Sequence, residues 1–206
     1  MNVLAIDKAI AKVPFLKDSK NVKKIPLTGG ITNLNFKIEA DGRVIRLAGA
    51  GTEQLGIKRD VEYAANKAAG EMGIAPEVVY FIEPEGYIVT RFVTGKRIMP
   101  EDIIKPDYLT RVAQKLRLFH RNAPKLKGTF NVFRRVEMLT KTAKSKGAKF
   151  PADWDFIMKK MREAEKALLK DPYKPTPCHN DLLNLNWLDE EVAGDIGEIR
   201  LLDWEY

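Results

Sequence analysis

The spacing of apolar residues changes along the chain. In residues 1–20, Val3, Leu4, Ile6, Ile10, Val13 and Leu16 recur at helical intervals and predict a short amphipathic helix. From residue 23 the period shortens to two. Residues 23–27 read as a strand, 33–40 alternate through Leu34, Phe36 and Ile38, and 43–48 return across Asp41-Gly42, a dipeptide suited to a tight hairpin turn. A loop of small residues over 49–56 leads to a helix predicted over 58–72 and stopped by Gly73. Strands follow over 77–82 and 87–92, joined by a turn at 83–86.

Past Gly95 the helical period takes over. Residues 108–122 carry Leu109, Val112, Ala113, Leu116 and Phe119, and residues 153–170 carry Phe156, Ile157, Met161, Ala164 and Leu168. Pro172, Pro175 and Pro177 force irregular backbone ahead of Cys178-His179-Asn180-Asp181. Short strands over 186–188 and 199–202 flank a turn that contains Gly194 and Gly197. A strand-rich half followed by a helical half predicts an α+β fold of two lobes, residues 1–92 and 93–206, with a hinge near 92–96.

The bulk composition narrows the classes of function. The 206 residues are 45% apolar and 31% charged, the balance of a globular protein. No apolar run approaches the roughly 20 residues that cross a bilayer. Lys and Asp interrupt the N-terminal apolar residues, so no secretory segment is expected and the cytoplasm is the expected location. A single cysteine, Cys178, excludes an intrachain disulfide, and with only two histidines a structural zinc site is set aside. The net charge is +7, but the cations are scattered, and the cluster over 141–149 reads as a solvated helix or loop. No nucleic-acid reader motif accompanies that charge, so no nucleic-acid partner is expected.

One constellation carries chemistry. His179-Asn180-Asp181 is followed by Asn186, five residues after Asp181, and by Asp203, seventeen residues after Asn186 at the end of a hydrophobic strand. Phosphoryl transfer asks a protein for a carboxylate that aims a hydroxyl, and for cations that spread the phosphate charge. Mg²⁺ prefers oxygen ligands, which an Asp and an Asn can supply. Upstream, Leu27-Thr28-Gly29-Gly30-Ile31-Thr32-Asn33 lies between two strands, where small residues let backbone N–H groups approach phosphate oxygens.

In the form HNDLL..N followed by LLDWEY, these residues resemble the choline/ethanolamine kinases and the aminoglycoside phosphotransferases of the protein-kinase-like fold. The resemblance runs from about Lys24 to Tyr206 in the order of that fold. It implies ATP and Mg²⁺ as cofactors, Asp181 as catalytic base, and Asn186 and Asp203 as metal ligands that complete the catalytic set. His179 then braces the loop, and Glu205 adds a supporting contact. Gly29, Gly30, Thr32 and Asn33 correspond to the family's nucleotide-covering turn. Arg46 corresponds to its phosphate-gripping cation, and Glu62, in Arg59-Asp60-Val61-Glu62, to the acid that holds the cation. Phe92 and Val93 correspond to the hinge that bonds adenine, with Ile31, Ile38 and Val44 expected against the ring. Leu116–His120 is similar to a family helix ending in LH, with His120 structural.

The acceptor implied is a small amino alcohol, choline or ethanolamine. The alternatives are another hydroxylated amine, such as an aminoglycoside or thiamine, or a nucleotide-binding module without activity. Members of the family continue past the DWEY segment, so the resemblance also implies a chain shortened at its C-terminus.

Overall fold

The computed structural model describes residues 3–16, 23–27, 33–39, 42–49, 52–171, 173–192 and 197–206. Helix α1 (Val3–Lys12) and a 3₁₀ turn (Pro14–Leu16) precede β1 (Lys24–Leu27), β2 (Asn33–Ile38) and β3 (Arg43–Ala48). Helix α2 (Arg59–Glu71) then leads to β4 (Val78–Ile82) and β5 (Tyr87–Arg91). The five strands form one antiparallel sheet in the order β1-β2-β3-β5-β4. Pro26 sits in the edge strand β1, where a missing N–H costs the ladder least. Gly42 turns the β2–β3 hairpin at φ +58°, a left-handed conformation open to glycine.

Strand register decides which residues face the site. Phe36 pairs with Ile45 and Leu34 with Leu47, while Asn35 pairs with Arg46 and Asn33 with Ala48. Cross-strand partners share a face, and neighbours along a strand alternate faces. One face therefore buries Phe36, Ile38, Ile45 and Leu47 against Ile6, Ala9, Ile10, Val13 and Leu16. The opposite face carries Asn33, Asn35, Val44 and Arg46. This corrects one expectation: Ile38 is fully buried in the core under α1, on the side of the sheet away from Arg46, so it cannot lie against a ring there. Ile31 lies outside the described residues.

The remaining chain forms β6 (Gly95–Arg97), α3 (Pro100–Ile103), α4 (Pro106–Asn122), α5 (Val132–Ser145), α6 (Trp154–Leu168), β7 (Trp187–Glu190) and β8 (Ile199–Leu201). Strands β6, β7 and β8 pair antiparallel in that order. A second core gathers Ile98, Phe119, Trp187, Ile199, Leu201 and Trp204 with Ala65, Ala68 and Ala69 of α2. Helix α2 thus serves both halves: its first turn reaches the five-stranded sheet, and its alanine face belongs to the second core.

Most expected elements form within a residue or two of the expected ends. The first helix is shorter than predicted, since the regular helix ends at Lys12. Helices α3 and α5 and strand β6 were not predicted. Helix α5 contains part of the charged cluster read as solvated, and none of its residues is buried. Among the described residues no helix is long and apolar enough to cross a membrane.

Candidate active site

The Asp181 loop is tied to the end of β8 by a buried histidine. His179 is 1% exposed; its Nε2 donates to the Leu202 carbonyl at 2.7 Å, and its Nδ1 accepts from the Asp181 N–H at 3.1 Å. One imidazole nitrogen as donor and the other as acceptor describes the neutral ring. Burial pushes the His179 pKa down, against the Leu202 hydrogen bond and the charges of Asp181 and Asp203. Asn186 closes the loop, with Nδ2 donating to the Asp181 carbonyl at 3.1 Å. The Leu202 N–H donates in turn to the Asn186 carbonyl at 2.8 Å. Four short bonds therefore hold Asp181, Asn186 and Asp203 in one small region. Asn180 and Asp203 adopt left-handed backbone, at φ 66° and 69°. Non-glycine residues in that region cost on the order of 1 kcal/mol or more and gather at functional sites.

The carboxylate of Asp203 meets the first sheet here. Arg46 Nη2 pairs with Asp203 Oδ1 and lies 3.2 Å from Glu205 Oε2. Its Nε lies 3.2 Å from Glu62 Oε1, yet that N–H is buried and has no hydrogen-bond acceptor among the described residues. Burial works against the charge of Arg46, but Glu62, Asp203 and Glu205 together outweigh it and raise its pKa. Asn33 Nδ2 donates to Glu205 Oε2 at 2.8 Å. Strand β3, helix α2 and the segment after β8 thus bring Arg46, Glu62, Asp203 and Glu205 into one cluster.

Not every expected residue is reached in the expected way. Gly29, Gly30 and Thr32 lie outside the described residues. The Phe92 N–H donates to the Gly42 carbonyl at 2.8 Å, so that donor is already spent within the protein. Lys37 Nζ sits 3.9 Å over the Phe92 ring. Val93 follows Phe92, and the next residue, Thr94, accepts at its carbonyl from the Glu191 N–H at 2.9 Å. Two residues do more than the sequence reading gave them. Glu205, expected to add a supporting contact, makes it to both Arg46 and Asn33. Arg59, to which no role was assigned, pairs with Glu62 at 2.5 Å. Its position three residues before Glu62, on the same helical face, was the available signal.

The donor set fits a hard cation held jointly with phosphates. Among the described residues no group of three or more His, Cys, Asp or Glu is arranged to hold a metal alone. Mg²⁺ is commonly bound through one or two protein oxygens, with phosphate and water supplying the rest. Asp203 and Asn186 provide such oxygens, and the orphaned Arg46 N–H is a donor suited to an anionic oxygen. A groove of about 510 Å³ between α5 and α6, lined by Lys141, Lys144, Trp154 and Arg162, lies apart from this cluster.

The sequence model for choline/ethanolamine kinases matches residues 24–206. The chain belongs to the choline/ethanolamine kinase family. No curated protein gives a significant match. Among solved structures, a choline/ethanolamine kinase family protein from Mesorhizobium loti is 25% identical with a TM-score of 0.75; the alignment covers 98% of this chain and 65% of that one. A choline kinase from Streptococcus pneumoniae is 22% identical with a TM-score of 0.76, over 98% of this chain and 69% of that one. The same kinase has been solved in complex with AMP. The fold extends to aminoglycoside 2'-phosphotransferase-IIIa, solved with GDP: 14% identity and a TM-score of 0.62, over 100% of this chain and 73% of that one. These likenesses bear out the protein-kinase-like α+β fold, and the chain spans less than two thirds of the length of the Mesorhizobium loti protein.

The neutral, buried His179 makes acid stability measurable. An unfolded imidazole protonates near pH 6.5, whereas the folded one resists protonation. Between those values the unfolded state binds the extra proton, so stability is full above about pH 6.5 and falls as the pH drops below it. Urea unfolding from pH 7.5 to 5 is expected to show this loss, with a slope of at most about 1.4 kcal/mol per pH unit, the limit for one proton. The same slope in His179→Gln would show that another group is responsible.

Proposed function

We propose that this chain is the nucleotide-binding and catalytic part of an ATP- and Mg²⁺-dependent kinase. It phosphorylates the hydroxyl of a small amino alcohol, choline or ethanolamine. The observation that carries the reading is the meeting of Arg46, from the five-stranded sheet, with Asp203, from the segment after β8, while Glu62 stands behind the cation. Family membership, and the AMP and GDP held by the structural relatives, support a nucleotide in this place. In the same reading residues 1–92 form the nucleotide-binding lobe and residues 93–206 the catalytic lobe.

Each side chain then has a role. Arg46 grips phosphate oxygens through its fork of N–H donors. Glu62 orients Arg46 from behind. Asn186 and Asp203 hold Mg²⁺, which when bound offsets the charge of the phosphates. Asp181 aims the acceptor hydroxyl along the line of attack and takes its proton as the new O–P bond forms and ADP leaves. Gly29, Gly30, Thr32 and Asn33 cover the phosphates. The adenine edge is met by Val93 and the Phe92 carbonyl, because the Phe92 N–H is committed to Gly42.

The test is formation of phosphorylated product from Mg–ATP with choline, ethanolamine, thiamine and an aminoglycoside, beside calorimetric titration with Mg–AMP-PNP. The expected result is nucleotide binding, with turnover on choline or ethanolamine. Turnover on an aminoglycoside or thiamine alone would replace the acceptor. Absence of nucleotide binding would sink the kinase reading.

A further inference from the structure

Arg59 carries a positive charge into the first turn of α2, where the partial positive charge of a helix N-terminus opposes it. No side chain caps that terminus. The protein nevertheless holds this guanidinium from several directions. Nη1 donates to Glu62 Oε2 at 2.5 Å and to Asn33 Oδ1 at 3.3 Å. Nη2 donates to the hydroxyl of Thr52, which donates to the Gly49 carbonyl at 3.0 Å. The stem of Arg59 packs on the β4–β5 turn so closely that a Cβ on Gly86 would lie 2.5 Å from its own Cβ. Gly86 is left-handed there, at φ 71°.

Charge bookkeeping gives these contacts a purpose. The cluster sets Arg46 and Arg59 against Glu62, Asp203 and Glu205. The Glu62 side chain is 1% exposed, and both guanidinium groups share it. Arg46 cannot hold Asp203 and also turn its fork to a phosphate. If Arg46 were the sole partner of Glu62, turning away would leave a buried carboxylate without a counter-ion, which is strongly unfavourable. Arg59 prevents this, because its hydrogen bonds to Asn33 and Thr52 hold it on Glu62 whichever way Arg46 turns.

The geometry points to Arg59 as a positioning residue for Mg–nucleotide binding: it is the fixed counter-ion of Glu62 that frees Arg46 to exchange Asp203 for phosphate. It also ties Asn33 of β2 and Thr52 to α2. This rests on the nucleotide-binding reading above.

Calorimetric titration with Mg–AMP-PNP, beside thermal unfolding, tests it on the unmodified protein, Arg59→Met, Arg59→Lys, and Arg59→Met combined with Glu62→Gln. Arg59→Met is expected to bind nucleotide roughly tenfold more weakly, the worth of one charged hydrogen bond. Adding Glu62→Gln is expected to recover roughly threefold of that loss, because Arg46 is no longer captured by an uncompensated carboxylate. Arg59→Lys keeps the charge but loses the fork, and is expected to weaken binding by roughly threefold. A merely structural Arg59 would lower the unfolding temperature of Arg59→Met and leave its nucleotide affinity unchanged; that result overturns the inference. So does a double variant that binds no better than Arg59→Met. If Arg59→Met does not fold, unchanged affinity in Arg59→Lys overturns it. Failure of the unmodified protein to bind nucleotide overturns the kinase reading, and this inference with it.

Discussion

Replacing Asp181 with Asn is expected to lower turnover of Mg–ATP with an amino alcohol by about a thousandfold, the middle of the range for loss of a general base. Affinity for Mg–AMP-PNP is expected to stay within roughly threefold of the unmodified protein. The two measurements separate because of how Asp181 is held. Its backbone, not its carboxylate, makes the loop: its N–H donates to His179 and its carbonyl accepts from Asn186. Asn matches Asp in shape, so those bonds survive, while the carboxylate that would take the proton is lost. Arg46, the cation proposed to grip phosphate, is bound to Glu62, Asp203 and Glu205, so its position does not depend on the substitution. Turnover in Asp181→Asn equal to that of the unmodified protein would remove Asp181 as the base.

Trp204→Ala is expected to cost about 3–5 kcal/mol of stability, the range for deleting a large aromatic side chain from a core. Trp204 is 1% exposed and packs against the rings of Phe119, at 4.4 Å between centroids, and His179, at 4.6 Å. Its indole N–H donates to the Leu201 carbonyl at 2.8 Å. The residue lies between Asp203 and Glu205, so its removal also loosens the segment that presents both carboxylates to Arg46. Urea unfolding measures the loss of stability. A stability within about 1 kcal/mol of the unmodified protein would mean that the core closes around the gap, contrary to this packing. Trp204→Phe, which keeps the ring contacts and loses the indole donor, is expected to cost less.

The strands over residues 33–48 were legible because apolar and polar positions alternate, whereas the register, which pairs Ile38 with Arg43, came only from the structure. Helices α2, α4 and α6 were legible because their apolar residues recur at helical spacing and a Gly or Pro marks at least one end. Helix α5 was not, because its charged residues dominate and none of its residues is buried. Its one local signal is Asn131, whose side chain accepts from the N–H groups of Phe133 and Arg134 at 3.0 and 3.1 Å. Strand β6 has no local signal: Gly95, Lys96 and Arg97 are all exposed, and they form a strand because Asp189 and its neighbours on β7 offer a partner.

By itself the sequence determined the α+β class and the approximate ends of most elements, and through its family resemblance it put forward Arg46, Glu62, Asp181, Asn186 and Asp203 as candidates for the chemistry. The class and the element ends depend on local pattern, and the candidate residues on motifs whose resemblance to a family can be read along the chain. Only the tertiary structure decided that Ile38 faces away from the site, that Glu205 touches Arg46 directly, and that Arg59 shares Glu62 with it. It also decided that the alanine face of α2 joins the second core. Those outcomes depend on which elements pack together, and pairings such as Asn33 with Glu205 join residues 172 positions apart in the chain. A period or a motif reports on its own neighbourhood, whereas a buried ion-pair cluster exists only after distant segments have met.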